Sequence, residues 1–306
     1  MDLKYAVIGT GAIGGYYGGM LARAGKDVHF LFHSDYNYVK ENGLQINSVN
    51  GNFNINPVQA YNDVAVMPQC DVVLVCLKTT NNNLLQRLLT PLIHKHTLVI
   101  LIQNGLGVEA DLQKDFPGVG IAGAMAFICS NKTKEGQIDH LDYGKLTIGS
   151  YSCSDEDIMS QLCTDLSQAG IEAELVYLQT ARWKKLVWNI PFNGLTVVLN
   201  TTTDRLMNND AASGLIYQLM LEVIEAAGHI GCKIDKSFAD SMMDMTRTMT
   251  PYAPSMKLDY EYRRPLEIYY IYTRPIEEAR KAGYDMKRVS MLENQLRFIE
   301  SQYIKR

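Results

Sequence analysis

The stretch Lys4–Gly25, KYAVIGTGAIGGYYGGMLARAG, decides the fold class. Its opening, KYAVIG, is a short apolar run that stops at Gly9, as a strand does, and AIGGYYGGMLARAG then has the small and apolar spacing of a helix closed by Gly25. Between them Gly9, Gly11 and Gly14 stand in the G-x-G-x-x-G spacing. Such glycines have separate tasks: a tight turn, room for a pyrophosphate against the backbone, and close packing of helix on sheet, with the phosphates at the positive helix N-terminus. The spacing alone occurs by chance, and the bland alternative is a merely tight turn. Its place between a first strand and a first helix makes it a dinucleotide site, with Gly9, Thr10, Gly11, Ala12, Ile13 and Gly14 as the candidate cofactor contacts.

Outward from this stretch the alternation continues. DVHFLFH reads as a second strand, and DVVLVCLKT (Asp71–Thr79) and TLVILIQNG (Thr97–Gly105) are near-continuous apolar runs, as in strands buried on both faces. NNNLLQRLLTPLIHK, between them, has helical spacing, so the pattern implies a parallel sheet with right-handed crossovers. VGIAGAMAFIC and GKLTIGS follow as strands joined through NKTKEGQIDHLDY, a turn or hairpin; DEDIMSQLCTDLSQAG is a helix and IEAELVY a last strand. From about Leu178 the periodicity is helical. The expected architecture is therefore α/β, with an N-terminal Rossmann-type dinucleotide-binding domain over residues 1–176 and an all-helical C-terminal domain over 177–306.

Composition narrows the class. The 306 residues are 47% hydrophobic and 20% charged, with a net charge of -4, so no basic excess suggests a nucleic-acid partner. No run approaches the roughly 18 uninterrupted apolar residues of a membrane span, and MDLKYAVIG lacks the pattern of a secretory signal. The six cysteines are scattered without a C-x-x-C, which fits free thiols and a cytoplasmic location.

A second stretch raises a chemical question. ARWKKLVWNIPFNG (Ala181–Gly194) is rich in large apolar residues, yet Lys185, Asn189 and Asn193 recur four residues apart. On a helix they fall within roughly 80° of one another, a polar line that faces either water or a ligand needing an amine and two amides. Asparagine is a poor helix former and costly to bury unpaired, which favours a site over a wet face. Elsewhere the plainer reading holds. His94 and His96 lack a third ligand at metal spacing, and Tyr260, Tyr262, Tyr269, Tyr270 and Tyr272 fall on several helix faces, as in packing.

The end of the second strand should tell NAD from NADP, by an acid for the ribose 2′-hydroxyl or a base for a 2′-phosphate. Here it ends FLFHSD: Phe32 is apolar, His33 is at most a part-time cation and Asp35 lies two residues on. Lys78, closing VVLVCLK, sits where ligands approach open sheets. These residues leave the choice between NADP and NAD open.

Five motifs together resemble the ketopantoate reductase (2-dehydropantoate 2-reductase) family: VIGTGAIGGYYGGMLARAG, VCLKT, LIQNGLG, RWKKLVWNIPFNGLT and PSMKLDYEYRRPLEI. The resemblance covers nearly the whole chain. It implies a Rossmann domain, a helical domain and reduction of 2-dehydropantoate to pantoate with NADPH, on the way to pantothenate. By position it makes Lys185 the catalytic lysine and Glu267 the site glutamate, Asn104, Asn189, Asn193 and Ser255 substrate contacts, and Gly9, Gly11, Gly14, His33, Lys78 and Asn104 cofactor contacts, with no metal.

Four departures stand out. His33 occupies the usual arginine position and Tyr252 the place of an asparagine. Pro191 lies between the two asparagines, with Gly194 where a proline often follows, so that Asn193 is expected to be displaced beyond a bend. Leu266, Glu267, Ile268 and Tyr269, followed by Tyr272 and Thr273, replace the common Thr-Glu-Ile-Asp and following Asn-Gly. The expected partner is a small 2-oxo acid, without nucleic acid or membrane, and the apolar C-terminal domain is compatible with a homodimer. A related 2-oxo-acid or 3-hydroxy-acid dehydrogenase and a non-catalytic dinucleotide sensor are the alternatives.

Overall fold

The computed structural model describes residues 2–251 and 253–304. The chain divides into two compact units, one of residues up to Gln103 with Val108–Leu178, the other of Asn104–Gly107 with residues from Gln179 onward.

The first unit is a ten-stranded sheet with helices. Its strands are β1 (Lys4–Ile8), β2 (Asp27–Leu31), β3 (Leu44–Ser48), β4 (Phe53–Ile55), β5 (Ala60–Tyr61), β6 (Val72–Val75), β7 (Leu98–Leu101), β8 (Gly120–Lys134), β9 (Gln137–Ser150) and β10 (Ala173–Leu175). They lie in the order β4-β3-β9-β8-β7-β6-β1-β2-β5, with β10 on β9. Helices α1 (Ala12–Arg23), α2 (Tyr36–Asn42), α3 (Leu85–Leu89), α4 (Val108–Asp115) and α5 (Glu156–Gln168) connect them. β6 and β7 are buried at every residue, as their unbroken apolar runs require. β1 pairs in parallel with β2 on one side and β6 on the other, so the strand order reverses between β1 and β6, where open α/β sheets bind ligands beyond the strand carboxyl ends.

The sheet differs from a wholly parallel one in two places. β3 with β4 and β8 with β9 are antiparallel. The turn expected over NKTKEGQIDHLDY shrinks to Glu135 and Gly136, and β8 and β9 take up the rest of that segment, with register shifts between Phe127 and Ile128 and between Cys129 and Ser130. Antiparallel neighbours can be joined by a tight turn, and Gly136, at φ +62°, supplies the left-handed residue it needs. β3, β4 and β5, absent from the sequence expectation, have five, three and two residues. The helix expected over NNNLLQRLLTPLIHK is a 3₁₀ segment at Thr79–Leu84 followed only by α3, because three consecutive asparagines favour local turns over α-helix.

The second unit contains α6 (Leu178–Val198), α7 (Thr203–Met207), α8 (Asp210–His229), α9 (Ser237–Thr248), α10 (Ser255–Glu261), α11 (Arg274–Lys281) and α12 (Lys287–Ser301), with a π-helical turn at Tyr269–Thr273 running into α11. α6 runs unbroken through Pro191. Its apolar side, with Trp183, Leu186, Val187, Ile190 and Phe192, is fully buried. That burial carries a helix past the backbone bond that the proline removes.

Candidate active site

The loop after β1 is shaped by its neighbours. Gly9 has φ +95°, and a Cβ there would lie 2.6 Å from the backbone nitrogen of Leu77, just past β6. Only glycine meets both conditions. Thr10 Oγ1 donates to the Leu31 carbonyl at 2.8 Å, tying the loop to the end of β2. Gly11 caps α1 with no side chain on the first amides, no acidic residue in the first turn, and no atom within 4 Å of where a Cβ would stand. Ala12 and Ile13 open the helix, and Gly14 passes so close to the Gly9 carbonyl that a Cβ would reach 2.4 Å. Unsatisfied N–H groups at a positive helix end with space before them are what a pyrophosphate requires, so the loop fits a dinucleotide.

Lys78 is half-buried and follows the β6 segment that abuts Gly9, so it shares the switch point with the loop. Gln103, which sequence reading passed over, is buried there. Its Nε2 donates to the Leu77 carbonyl and to Asn82 Oδ1, each at 2.7 Å, and so shapes the chain between Gly9 and Lys78. Nothing local distinguishes Gln103 from any polar residue after a strand. Burial pushes the Cys76 thiol above its ordinary range, which leaves no thiolate beside the loop at neutral pH.

His33 is exposed, whereas Asp35 is 3% exposed and already engaged. It accepts from Lys132 Nζ at 2.6 Å, from the Gly136 amide at 3.0 Å and from Ser34 at 3.0 Å. Burial alone would raise its pKa, but the Lys132 ammonium, the Gly136 N–H and the Ser34 hydroxyl outweigh it and hold the carboxyl below its ordinary value. Asp35 is a structural anion that pins the β8–β9 turn.

In the second unit the polar line of α6 has an identifiable neighbour. Asn189 and Asn193 are both 3% exposed and Lys185 is half-buried, its Nζ lying 5.9 Å from the Trp188 ring centroid. Lys184, by contrast, is exposed, with its ammonium over Phe238. Asn189 Nδ2 donates to Asn104 Oδ1 at 3.2 Å, joining two residues 85 positions apart. The Asn104 loop is held by a bond from the Leu106 amide to the Tyr270 carbonyl at 2.8 Å, and a Cβ on Gly105 would meet that carbonyl at 2.5 Å. Glu267, 6% exposed, lies just before the π-helical turn.

Asn104 and Asn189 thus meet, and Lys185 and Asn193 lie one turn of α6 before and after Asn189, the helix running unbroken through Pro191. Ser255 belongs to a separate element, at the first turn of α10, where it is half-buried. The tyrosines divide as several helix faces require, Tyr272 buried and Tyr262 and Tyr269 exposed. Tyr252 lies outside the described residues. Among the described residues no group of three His, Cys, Asp or Glu side chains is placed to hold a metal ion, and no helix is long and apolar enough to cross a membrane.

Comparison with known proteins gives this arrangement a family. The model of the ketopantoate reductase PanE/ApbA family matches residues 5–152, and that of its C-terminal domain matches residues 177–300. The chain belongs to the ketopantoate reductase family. A 2-dehydropantoate 2-reductase from Nostoc sp. is 48% identical over 98% of this chain and 96% of that protein. Among solved structures, the 2-dehydropantoate 2-reductase from Geobacter metallireducens superposes with a TM-score of 0.93 at 38% identity, covering 97% of this chain and 99% of that one. The enzyme of the same name from Methylococcus capsulatus gives 0.90 at 28% identity, covering 99% of both chains. A ketopantoate reductase is an oxidoreductase with a Rossmann-type domain and a helical domain, and both kinds of unit are present here.

Proposed function

We propose that this protein reduces 2-dehydropantoate to pantoate with NADPH, the step that feeds pantothenate synthesis. The observation that carries the reading is the bond between buried Asn189 and half-buried Asn104, with Lys185 one turn before Asn189 on a helix otherwise given over to apolar packing. Two amides next to an amine suit a small anionic, hydroxylated ligand, since amides hydrogen-bond without adding repulsive charge. The division of labour follows the sequence expectation, with residues 1–176 taking the cofactor and 177–306, together with Asn104, taking the substrate.

The nicotinamide supplies the hydride. The chain's own work is to hold the 2-oxo acid and to meet the charge that develops on its carbonyl oxygen. Lys185 is the proton donor to that oxygen. Glu267 sets the charge of the site, because a carboxylate near an ammonium favours its protonated form. Asn189, Asn193 and Ser255 grip the substrate carboxylate and hydroxyl, and Asn104, a cofactor contact by the family resemblance, supports Asn189.

NADPH is proposed over NADH because Asp35, the acid nearest the end of β2, is occupied by Lys132 and Gly136. It is spent on structure instead of accepting from a ribose 2′-hydroxyl. His33 and Lys78 are the basic groups for a 2′-phosphate. The test is turnover of ketopantoate and a panel of branched 2-oxo acids with each cofactor. Ketopantoate should give the highest kcat/KM, with NADPH at least ~10-fold tighter than NADH, equivalent to about 1.4 kcal/mol. No oxidation of either cofactor by any 2-oxo acid would overturn the enzymatic reading in favour of a sensor.

A further inference from the structure

Two residues that depart from the family pattern, Gly194 and Tyr272, meet beside a third, Pro191. Tyr272, fully buried in the π-helical turn, donates its hydroxyl to the Ile190 carbonyl at 2.9 Å. Ile190 is the residue between Asn189 and Pro191 on α6. The space for that hydroxyl exists because residue 194 is glycine: a Cβ there would stand 2.8 Å from Tyr272 Oη and 2.6 Å from Leu292 Cδ2. Pro191, the next residue, has no N–H to give to the Val187 carbonyl one turn earlier, so α6 lacks one backbone bond in this region. Burial keeps the Tyr272 phenol protonated far above neutral pH, so it remains a donor under all working conditions.

The turn that carries Tyr272 holds other parts of the unit as well. Its Tyr270 carbonyl receives the Leu106 amide and so fixes the loop bearing Asn104. Its last residue, Thr273, donates to Glu293 Oε1 on α12. Glu267 lies two residues before it. Single-turn π-helices are costly and recur at functional sites.

We infer that Tyr272 is a positioning residue: its hydroxyl, admitted by Gly194, braces α6 at the proline so that Lys185 and Asn189 stay in register with Asn104 and Glu267. The catalytic consequence rests on the proposed reductase activity, while the brace itself does not.

The test is Tyr272→Phe, which keeps the ring and removes the hydroxyl, assayed by ketopantoate kinetics, NADPH affinity and amide hydrogen exchange. The expected result is a fall in kcat/KM for the 2-oxo acid of at least 5-fold, NADPH Kd within 2-fold of wild type, and exchange at least 10-fold faster for amides of residues 185–195 with α8 unchanged. Gly194→Ala should reproduce these changes. The double variant should lose little beyond either single, because both act through one contact. Exchange in α6 unchanged by Tyr272→Phe, kcat/KM within 2-fold of wild type, additive losses in the double variant, or an equal weakening of NADPH binding would each overturn the inference. A wild-type protein inactive on all 2-oxo acids overturns the functional reading instead, and the exchange measurement still decides the brace.

Discussion

The loop after β1 and the neighbourhood of α6 solve opposite problems. The first is made of backbone amides from six consecutive residues, Gly9 to Gly14, and its side chains matter chiefly by being small. The second is made of side chains from segments far apart in the chain, joined by the Asn189–Asn104 bond and braced by Tyr272 on Ile190. A backbone site is specified locally and tolerates change only where steric space remains. A side-chain site can be retuned residue by residue, and its precision depends on the packing that holds each group.

The sharpest way to break that contrast is Lys185→Ala. Removing a group that donates a proton should lower kcat by at least ~100-fold while NADPH affinity stays within 2-fold; equal loss of both would mean that the two sites are not separable. Next in size is Gly9→Val, which places a branched side chain at φ +95° against the Leu77 backbone. It should weaken NADPH binding by at least ~10-fold and destabilise the fold by roughly 1–3 kcal/mol, as forced left-handed residues do, measured by titration and thermal melting. A loop that tolerated valine would not be steric in origin.

Asn189→Ala leaves Asn104 without its amide partner. We expect KM for the 2-oxo acid to rise about 10-fold, from a lost hydrogen bond of about 1–1.5 kcal/mol, with cofactor affinity unchanged. The smallest effect concerns stability alone. In the first unit Asp165 accepts from Tyr5 and from Lys26 Nζ, the latter at 2.7 Å. Burial works to raise its pKa, but Lys26, Tyr5 and Gln161 together hold it below the ordinary value. A depressed carboxyl contributes stability that is present above its unfolded pKa of about 3.9 and lost as pH falls through the lower folded value. Asp165→Asn should therefore lower Tm at pH 7 and converge on wild type toward pH 2; a gap independent of pH would assign the effect to packing.

These differences explain what was legible beforehand. The alternation of strand and helix, the glycine loop after β1 and the polar line of α6 depend on neighbours within a few residues, so periodicity and spacing disclose them. The two-residue turn of the β8–β9 hairpin was hidden because long paired strands draw polar residues such as Asn131 and Lys132 into a ladder. The strands β3 and β4 alternate over only a few residues, and β5 has two. Gln103 and Tyr272 were invisible as site residues because their role lies in the carbonyls they reach, Leu77 and Ile190, and no pattern in their own segments points there.

By itself the sequence determined the class of fold, the place of the glycine loop after β1 and the residue types available for chemistry, since these follow from local propensity and from glycine and proline stereochemistry. Tertiary structure alone decided that Asp35 is bound to Lys132 and Gly136, that Asn104 meets Asn189, and that Tyr272 reaches the Ile190 carbonyl past Gly194. The physical reason is that hydrogen bonding and close packing act across space, between atoms that the chain order leaves far apart.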